Sequence, residues 1–293
     1  MFKKGIISDE ISQDLRKAAE LAYRYKLDGV EIRSVWEKGP HELTDKDIKE
    51  IKTILSDYNL DVCGISAPFF KCDIDDQRQI DDHIDILKRC IDLSYKLDVK
   101  FIRGFTFWSK GDFNSYFDRI VSKFETPIEL LSNNGKILVL EFDPSVFATN
   151  AQKLVQVIKS IDSPFVKGLW DPGNDIYDPD GERPFPDGYN IIKDHMVHMH
   201  LKDAKKLPDG KVVATPIGLG EVEYEEHFSK LIEDRYEGYV VLETHYRPKH
   251  DLSESLLALP KGSAFSYLGY EASEDSLKRW QKIMDKIKRR KLG

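Results

Sequence analysis

The sequence predicts an α/β protein, a single (β/α)₈ TIM barrel domain spanning residues 1–293. Three observations predict it. Short β-rich apolar runs alternate with longer amphipathic stretches, the pattern of a parallel sheet. Eight such units fill the chain at about 37 residues each, the size of a barrel repeat. No Gly-x-Gly-x-x-Gly turn follows a strand, as an open nucleotide-binding sheet would need. The nearest approach, Gly218-Leu-Gly220, lacks the third glycine and reads as a turn.

The predicted strands are 5–8, 29–33, 60–66 and 99–103, then 136–141, 166–171, 196–201 and 239–243. The first helix, 12–25, puts Leu15, Ala18, Ala19 and Ala22 on one face. Thr44 caps the second, where Ile48, Ile51, Ile54 and Leu55 recur at helical spacing. Helices follow over 80–97, with Ile84, Leu87, Ile91 and Leu97 on one face, and over 116–131 and 150–161. The stretch 175–195 is rich in Asp, Pro and Gly and gives only a weak helical signal. The pattern closes with helices 224–232 and 273–287, the latter with Ser273 before acids as a cap signal. The long loop at about 245–270 carries Pro248, Pro260 and Gly262 and reads as an excursion over the barrel top.

Composition excludes several classes. Hydrophobic residues at 41% and charged residues at 32% fit a soluble globular domain rather than a disordered chain. No apolar run reaches the roughly 18–20 residues of a spanning helix. The N-terminus meets acid after two hydrophobes, so no secretory signal is expected and the expected location is the cytoplasm. With 44 Lys+Arg against 51 Asp+Glu the net charge is −7, a poor start for binding nucleic acid. Basic residues at 286, 288, 289, 290 and 291 read as the cationic end of the last helix. Cys63, Cys72 and Cys90 form no Cys-x-x-Cys pair, so free thiols are expected rather than a disulfide or zinc framework.

Metal-capable residues mark the ends of four successive strands: Glu141, Asp171, His200 and Glu243. Strand C-termini converge on the active face of a barrel. Three carboxylates and one imidazole suit a single hard divalent ion, with Mn²⁺ first and Mg²⁺, Co²⁺ or Zn²⁺ as other fits. His198 shares a face with His200, because side chains repeat every two residues. It lies deeper along the strand, so it is expected to contact a ligand or the substrate rather than the metal. His195 falls outside that register. His41, His83, His227 and His250 read as surface residues. Trp36, Phe69, Phe105, Phe107, Trp108 and Trp170 sit at or just past strand tops, where aromatic faces either line a pocket or pack as barrel-rim core. Arg33, Arg103 and Arg247 sit similarly, for an acidic group or for salt bridges.

The chain resembles the xylose isomerase-like TIM barrel superfamily, specifically its sugar phosphate isomerase/epimerase group. The resemblance covers nearly the whole chain. It is carried by Gly29-Val-Glu-Ile-Arg33-Ser-Val-Trp36, Ser66-Ala-Pro-Phe69, Leu140-Glu141 and Trp170-Asp171-Pro-Gly-Asn174, and further by His198-Met-His200-Leu-Lys202-Asp203, Pro216-Ile-Gly218-Leu-Gly220-Glu221 and Leu242-Glu243-Thr-His-Tyr-Arg247. The His-x-His-x-Lys-Asp run with Gly-x-Gly-Glu downstream is the more specific part.

The resemblance implies that Glu141, Asp171, His200 and Glu243 hold the metal. It places Asn174 where ketose 3-epimerases often carry a substrate-binding His. Those epimerases also carry a Glu six residues after the first metal Glu, where this chain has Phe147. The implied activity is epimerisation or isomerisation of a sugar, keto-sugar or sugar phosphate. In it the metal stabilises an enediolate while Glu141 and Glu243 act as base and acid. Asn174, His198, Lys202, Arg247, Trp108 and Phe69 are the expected substrate contacts. Two alternatives stay open: a metal-dependent keto-sugar or inosose dehydratase, and an endonuclease IV-like phosphodiesterase. The expected partner is a small-molecule sugar, with neither nucleic acid nor membrane, and a homo-oligomer (dimer or tetramer) fits.

Overall fold

The computed structural model describes residues 2–292. Met1, Gly293 and the side chains of Lys291 and Leu292 lie outside the described part. Eight parallel strands close into a barrel: β1 (Lys3–Ile7), β2 (Gly29–Ile32), β3 (Asp61–Phe69), β4 (Phe101–Gly104), β5 (Ile137–Glu141), β6 (Val166–Trp170), β7 (Met196–Leu201) and β10 (Tyr239–Leu242). The barrel shuts where β1 pairs with β10, Gly5 opposite Val241. All eight predicted strands are present. The remaining two, β8 (Asp203–Lys206) and β9 (Val212–Thr215), form an antiparallel hairpin on the top face that the sequence reading did not expect.

The helices wrap the barrel with apolar faces inward. Leu15–Arg24 buries Leu15, Ala18, Ala19, Leu21 and Ala22. Thr44 caps Asp45–Asp57 as expected, in a reciprocal bond with Asp47. That cap contributes on the order of 1 kcal/mol. Asp76 and Asn150 likewise cap Gln77–Lys96 and Ala151–Ile161.

Two helix expectations need correction. The stretch 116–131 is two helices, Phe113–Ser122 and Glu125–Asn134. They part at Phe124, whose ring is fully buried against Phe70 and Phe107. Ser273 is no cap either. The last helix starts at Gly269, and buried Ser273 donates its hydroxyl to the backbone oxygen of Glu10. Gly269 itself presses on that oxygen, which a Cβ there would meet at 2.2 Å.

The chain from 245 to 270 folds over the barrel top with two short helices, Glu254–Ala258 and Gly262–Ser266. Gly218 and Gly220 form a turn whose amides donate to Asp203, at 2.8 and 3.0 Å. The three cysteines are buried free thiols. Lys286 and Arg290 pair with Glu225 at the end of the last helix. No helix among the described residues is long and apolar enough to cross a membrane.

Candidate active site

The barrel's C-terminal end gathers the predicted acids and histidine. Glu141 closes β5, Asp171 follows β6, His200 lies in β7 and Glu243 follows β10. One ligand atom from each lies within 4.8 Å of all the others. Donors about 2.0–2.2 Å from one ion stand roughly 3–4.5 Å apart, so the cluster has the dimensions of a coordination shell. His200 Nδ1 is 3.3 Å from Glu141 Oε1 and 3.3 Å from Glu243 Oε2. All four residues are at most 2% exposed. Asp171 also caps the turn after β6, accepting from Gly173 N at 2.9 Å, which fixes its direction.

These groups belong to one buried ion-pair network. Arg33, which follows β2, bonds Asp9 at 2.9 Å, Glu10 at 2.7 Å and Glu243 at 2.5 Å. Arg103 of β4 donates to Glu141 at 3.1 Å. Lys202 lies 2.6 Å from Asp171 and 3.2 Å from Glu243. Arg247 pairs with Glu10. Six acids (Asp9, Glu10, Glu31, Glu141, Asp171, Glu243) thus face four permanent cations (Arg33, Arg103, Lys202, Arg247). With every acid ionised and neutral histidines the network lacks two positive charges, the charge of one divalent cation. Donor chemistry, spacing and charge all fit such an ion.

The electrostatics follow the same geometry. Burial pushes Asp171 up to about 7, although Lys202 opposes it. Burial would also raise Glu243, but Lys202, His200 and His245 hold it well below the carboxylate range. Burial disfavours the imidazolium of His200, yet Glu31, Glu141 and Glu243 hold its pKa well above the usual value. Metal-free protein therefore keeps His200 protonated and Asp171 about half protonated near neutral pH. Cation uptake must displace these protons. Mn²⁺ affinity is expected to fall as pH drops through 7 toward 6, with protons released on binding. Mn²⁺ titration in weak buffer at several pH values checks this; a flat affinity from pH 8 to 6 sinks it.

Glu31, in the middle of β2, is a participant the sequence reading missed. Its Oε2 is 2.6 Å from His198 Nε2 and its Oε1 is 3.2 Å from His200 Nε2. Ser66 also donates to it. Its side chain lies across Gly64, where a Cβ would sit 3.1 Å from the Glu31 carboxyl carbon. The signal was legible: Glu31 is a lone acid in an apolar strand, two residues before Arg33 and so on the same inward face. Asp9, Glu10, Lys71 and His245 were likewise missed: Asp9 and Glu10 lie together in the short helix Ser8–Ile11 after β1, and Lys71 and His245 stand beyond strand ends.

His198 is 1% exposed and meets Glu31 rather than the four-residue ring. The His198→Ala variant is expected to bind Mn²⁺ measurably, whereas His200→Ala loses it. Calorimetric titration compares them, and equal loss in both overturns the distinction.

Asn174 donates to the Phe142 carbonyl at 2.8 Å beside Asp171. Trp108 is partly exposed on the top face, its ring 5.5 Å from Lys71 Nζ. Two expected substrate contacts are committed to partners within the protein. Phe69 is fully buried, stacked on Phe70 at 3.9 Å, and presents no face to a substrate. Arg247 directs its donors at Glu10 and at the carbonyls of Thr244, Tyr246 and Phe265, so it clamps the top loop. His227, expected at the surface, is fully buried between Trp170 and Phe185, and burial lowers it to about 3. His83 is half-buried and accepts from Phe70 N at 2.8 Å.

A closed parallel barrel with an acid-and-imidazole ring at its C-terminal mouth defines the class. The chain belongs to the xylose isomerase-like TIM barrel family, whose sequence profile matches residues 19–267. Its fold is shared by a D-tagatose 3-epimerase-like protein, with TM-score 0.72, 18% identity and 99% of both chains covered. It is shared by a 3-keto-D-glucoside 4-epimerase from E. coli, with TM-score 0.67, 15% identity, and 92% and 99% covered. A probable 3-DHS dehydratase from Bacillus anthracis matches at TM-score 0.68 and 15% identity, with 93% and 98% covered.

Proposed function

We propose that this protein is a divalent-metal-dependent epimerase or isomerase of a sugar, keto-sugar or sugar phosphate. The observation that carries the reading is the ring of Glu141, Asp171, His200 and Glu243, with ligand atoms within 4.8 Å of one another. Mn²⁺ is the ion the three oxygens and one nitrogen suit first. When bound, it supplies Lewis-acid polarisation of a carbonyl and a neighbouring hydroxyl.

The chain's own residues do the rest. Glu243, held ionised by its cationic neighbours, takes the proton from carbon beside the carbonyl. Glu141 comes from the third strand around the barrel from β10 and faces the same space; it takes a proton from solvent and delivers it to the enediolate, while the proton on Glu243 passes to solvent. Return to the other face of the same carbon inverts it; return to the neighbouring carbon isomerises the sugar. Lys202, buried between Asp171 and Glu243, holds the negative charge that develops on substrate oxygen. Arg33 fixes the Glu243 carboxylate through the 2.5 Å bond to its Oε1.

The test is solvent exchange. Mn²⁺-loaded protein in D₂O is incubated with a panel of keto-sugars, and deuterium beside the carbonyl is read by NMR. Exchange with appearance of an epimer or isomer is the expected result. Exchange followed by loss of water moves the protein to the dehydratases. No exchange from any sugar, with hydrolysis of a phosphodiester instead, overturns the reading.

A further inference from the structure

Beside the acid ring, where β2, β3 and β4 end, lies a cavity of about 180 Å³. Arg33 and Arg103, which touch Glu243 and Glu141, form its inner wall, and Leu259 and Lys261 of the top loop form its outer wall. Four lining residues are cations (Arg33, Lys71, Arg103, Lys261) and none is a carboxylate. Apart from His41 and Ser66, the hydrogen-bonding side chains there are donors only. Ser66 is already committed to Glu31. A neutral sugar offers hydroxyls that donate as well as accept, and among these side chains only His41 and Ser66 could accept from them. An anion only accepts.

Two of these cations share one aromatic neighbour. Lys71 Nζ sits 4.3 Å and the Arg103 guanidinium 4.9 Å from the centre of the Phe105 ring. Lys71 is 6% and Arg103 5% exposed. The Lys71 ammonium spends two donors, on Asp143 at 3.0 Å and on the Ala258 carbonyl at 2.8 Å, which leaves a third. Arg103 bonds Glu141 through Nη1 alone, and its buried Nε has no partner. Burial lowers the Lys71 pKa, and Arg103 lowers it further. A divalent ion on Glu141 would take over part of the charge that Arg103 now offsets. Both side chains line the same cavity, and a guanidinium beside an ammonium suits a carboxylate or a phosphate.

We propose that this cavity is the subsite for an anionic group of the substrate, gripped by Lys71 and Arg103, so that the substrate is an acidic keto-sugar or a sugar phosphate. The assignment rests on the epimerase/isomerase reading and narrows it.

The experiment measures binding of three probes to the Mn²⁺-loaded protein by calorimetry: D-fructose, 5-keto-D-gluconate and D-fructose 6-phosphate. At least one acid is expected to bind about tenfold or more tightly than D-fructose, the scale of one charge-assisted hydrogen bond. Preference for the first acid alone assigns a carboxylate, for the second alone a phosphate, and for both a shared anion site. Lys71→Met should erase the preference with Mn²⁺ affinity unchanged, and Lys71→Arg should restore it. If Lys71→Met misfolds with Asp143 left unpaired, the Lys71→Met/Asp143→Asn double variant carries the same test. D-fructose binding as tightly as both acids, or a preference that survives Lys71→Met, overturns the proposal. The two readings fail separately. Lys71-dependent acid binding without exchange from any keto-sugar leaves the subsite standing and removes the proton-transfer reading. Exchange from D-fructose, untouched by Lys71→Met and without acid preference, does the reverse.

Discussion

The Glu243→Gln variant is expected to turn over roughly 10²–10⁴-fold more slowly than the native protein, the range that follows loss of a positioned general base. The substitution keeps an acceptor oxygen but replaces the other with an NH₂ group. Glu243 Oε1 faces Arg33 and Oε2 faces Lys202 and His200, so one end of the amide must oppose a donor. Weaker but measurable metal binding is therefore expected. Glu141→Gln meets the same conflict between Arg103 and His200. Exchange from one epimer should suffer most in one variant, and from the other epimer in the other. Full metal occupancy in both variants with turnover within a few-fold of native would remove both residues from proton transfer. Lys202 or His198 would then be the base to examine.

The Arg33→Met variant is expected to lose about 3–5 kcal/mol of stability at pH 8, because one guanidinium holds three buried carboxylates. Asp9, Glu10 and Glu243 are each at most 3% exposed at the side chain where they meet it. Arg33→Lys should recover only part, since a single ammonium cannot reproduce the fork. The pH dependence has a definite sign. Burial raises Asp9 to about 6, with Arg33 working against that rise. A raised carboxyl favours the folded state at low pH, and that contribution fades as pH climbs through the folded value. Without Arg33 the acids take up protons more readily still. The deficit of the variant should thus shrink from pH 8 to pH 5. Urea unfolding at both values measures it, and a deficit under about 1 kcal/mol at pH 8 contradicts the buried-network account.

Strand periodicity made the barrel legible, because β-rich runs such as 136–141 and 239–243 are buried on both faces and stand out from polar loops. The ring of four was legible for the same reason: each member ends or follows such a run. Distant pairing was hidden. Nothing local tells that Arg33 meets Glu243, or that Glu10 meets Arg247. The hairpin 203–215 was hidden because its strands are four residues each and half-solvated. The break at Phe124 was hidden because the helical period runs on while the aromatic cluster beneath decides where the chain turns. Phe69 misled because a strand-top aromatic can point outward into the helical layer as easily as inward to the mouth.

The seam between the two ends of the chain has a consequence in time. Arg33 and Glu243 are 210 residues apart, and Glu10 waits for Arg247 and for Ser273. At ribosomal rates of about 5–20 residues per second, that gap is roughly 10–40 s of synthesis. During it Arg33 can satisfy Asp9 and Glu10 but not the acid that completes the ring. Early strands can collapse while the mouth stays unfinished, so the cluster matures only when the final strand and the last helix dock. Nascent chains stalled before residue 239 should therefore show no tight Mn²⁺ uptake, whatever helical structure they have gained. On the proposed metal-dependent reading, metal capture comes after the barrel closes and does not template its assembly.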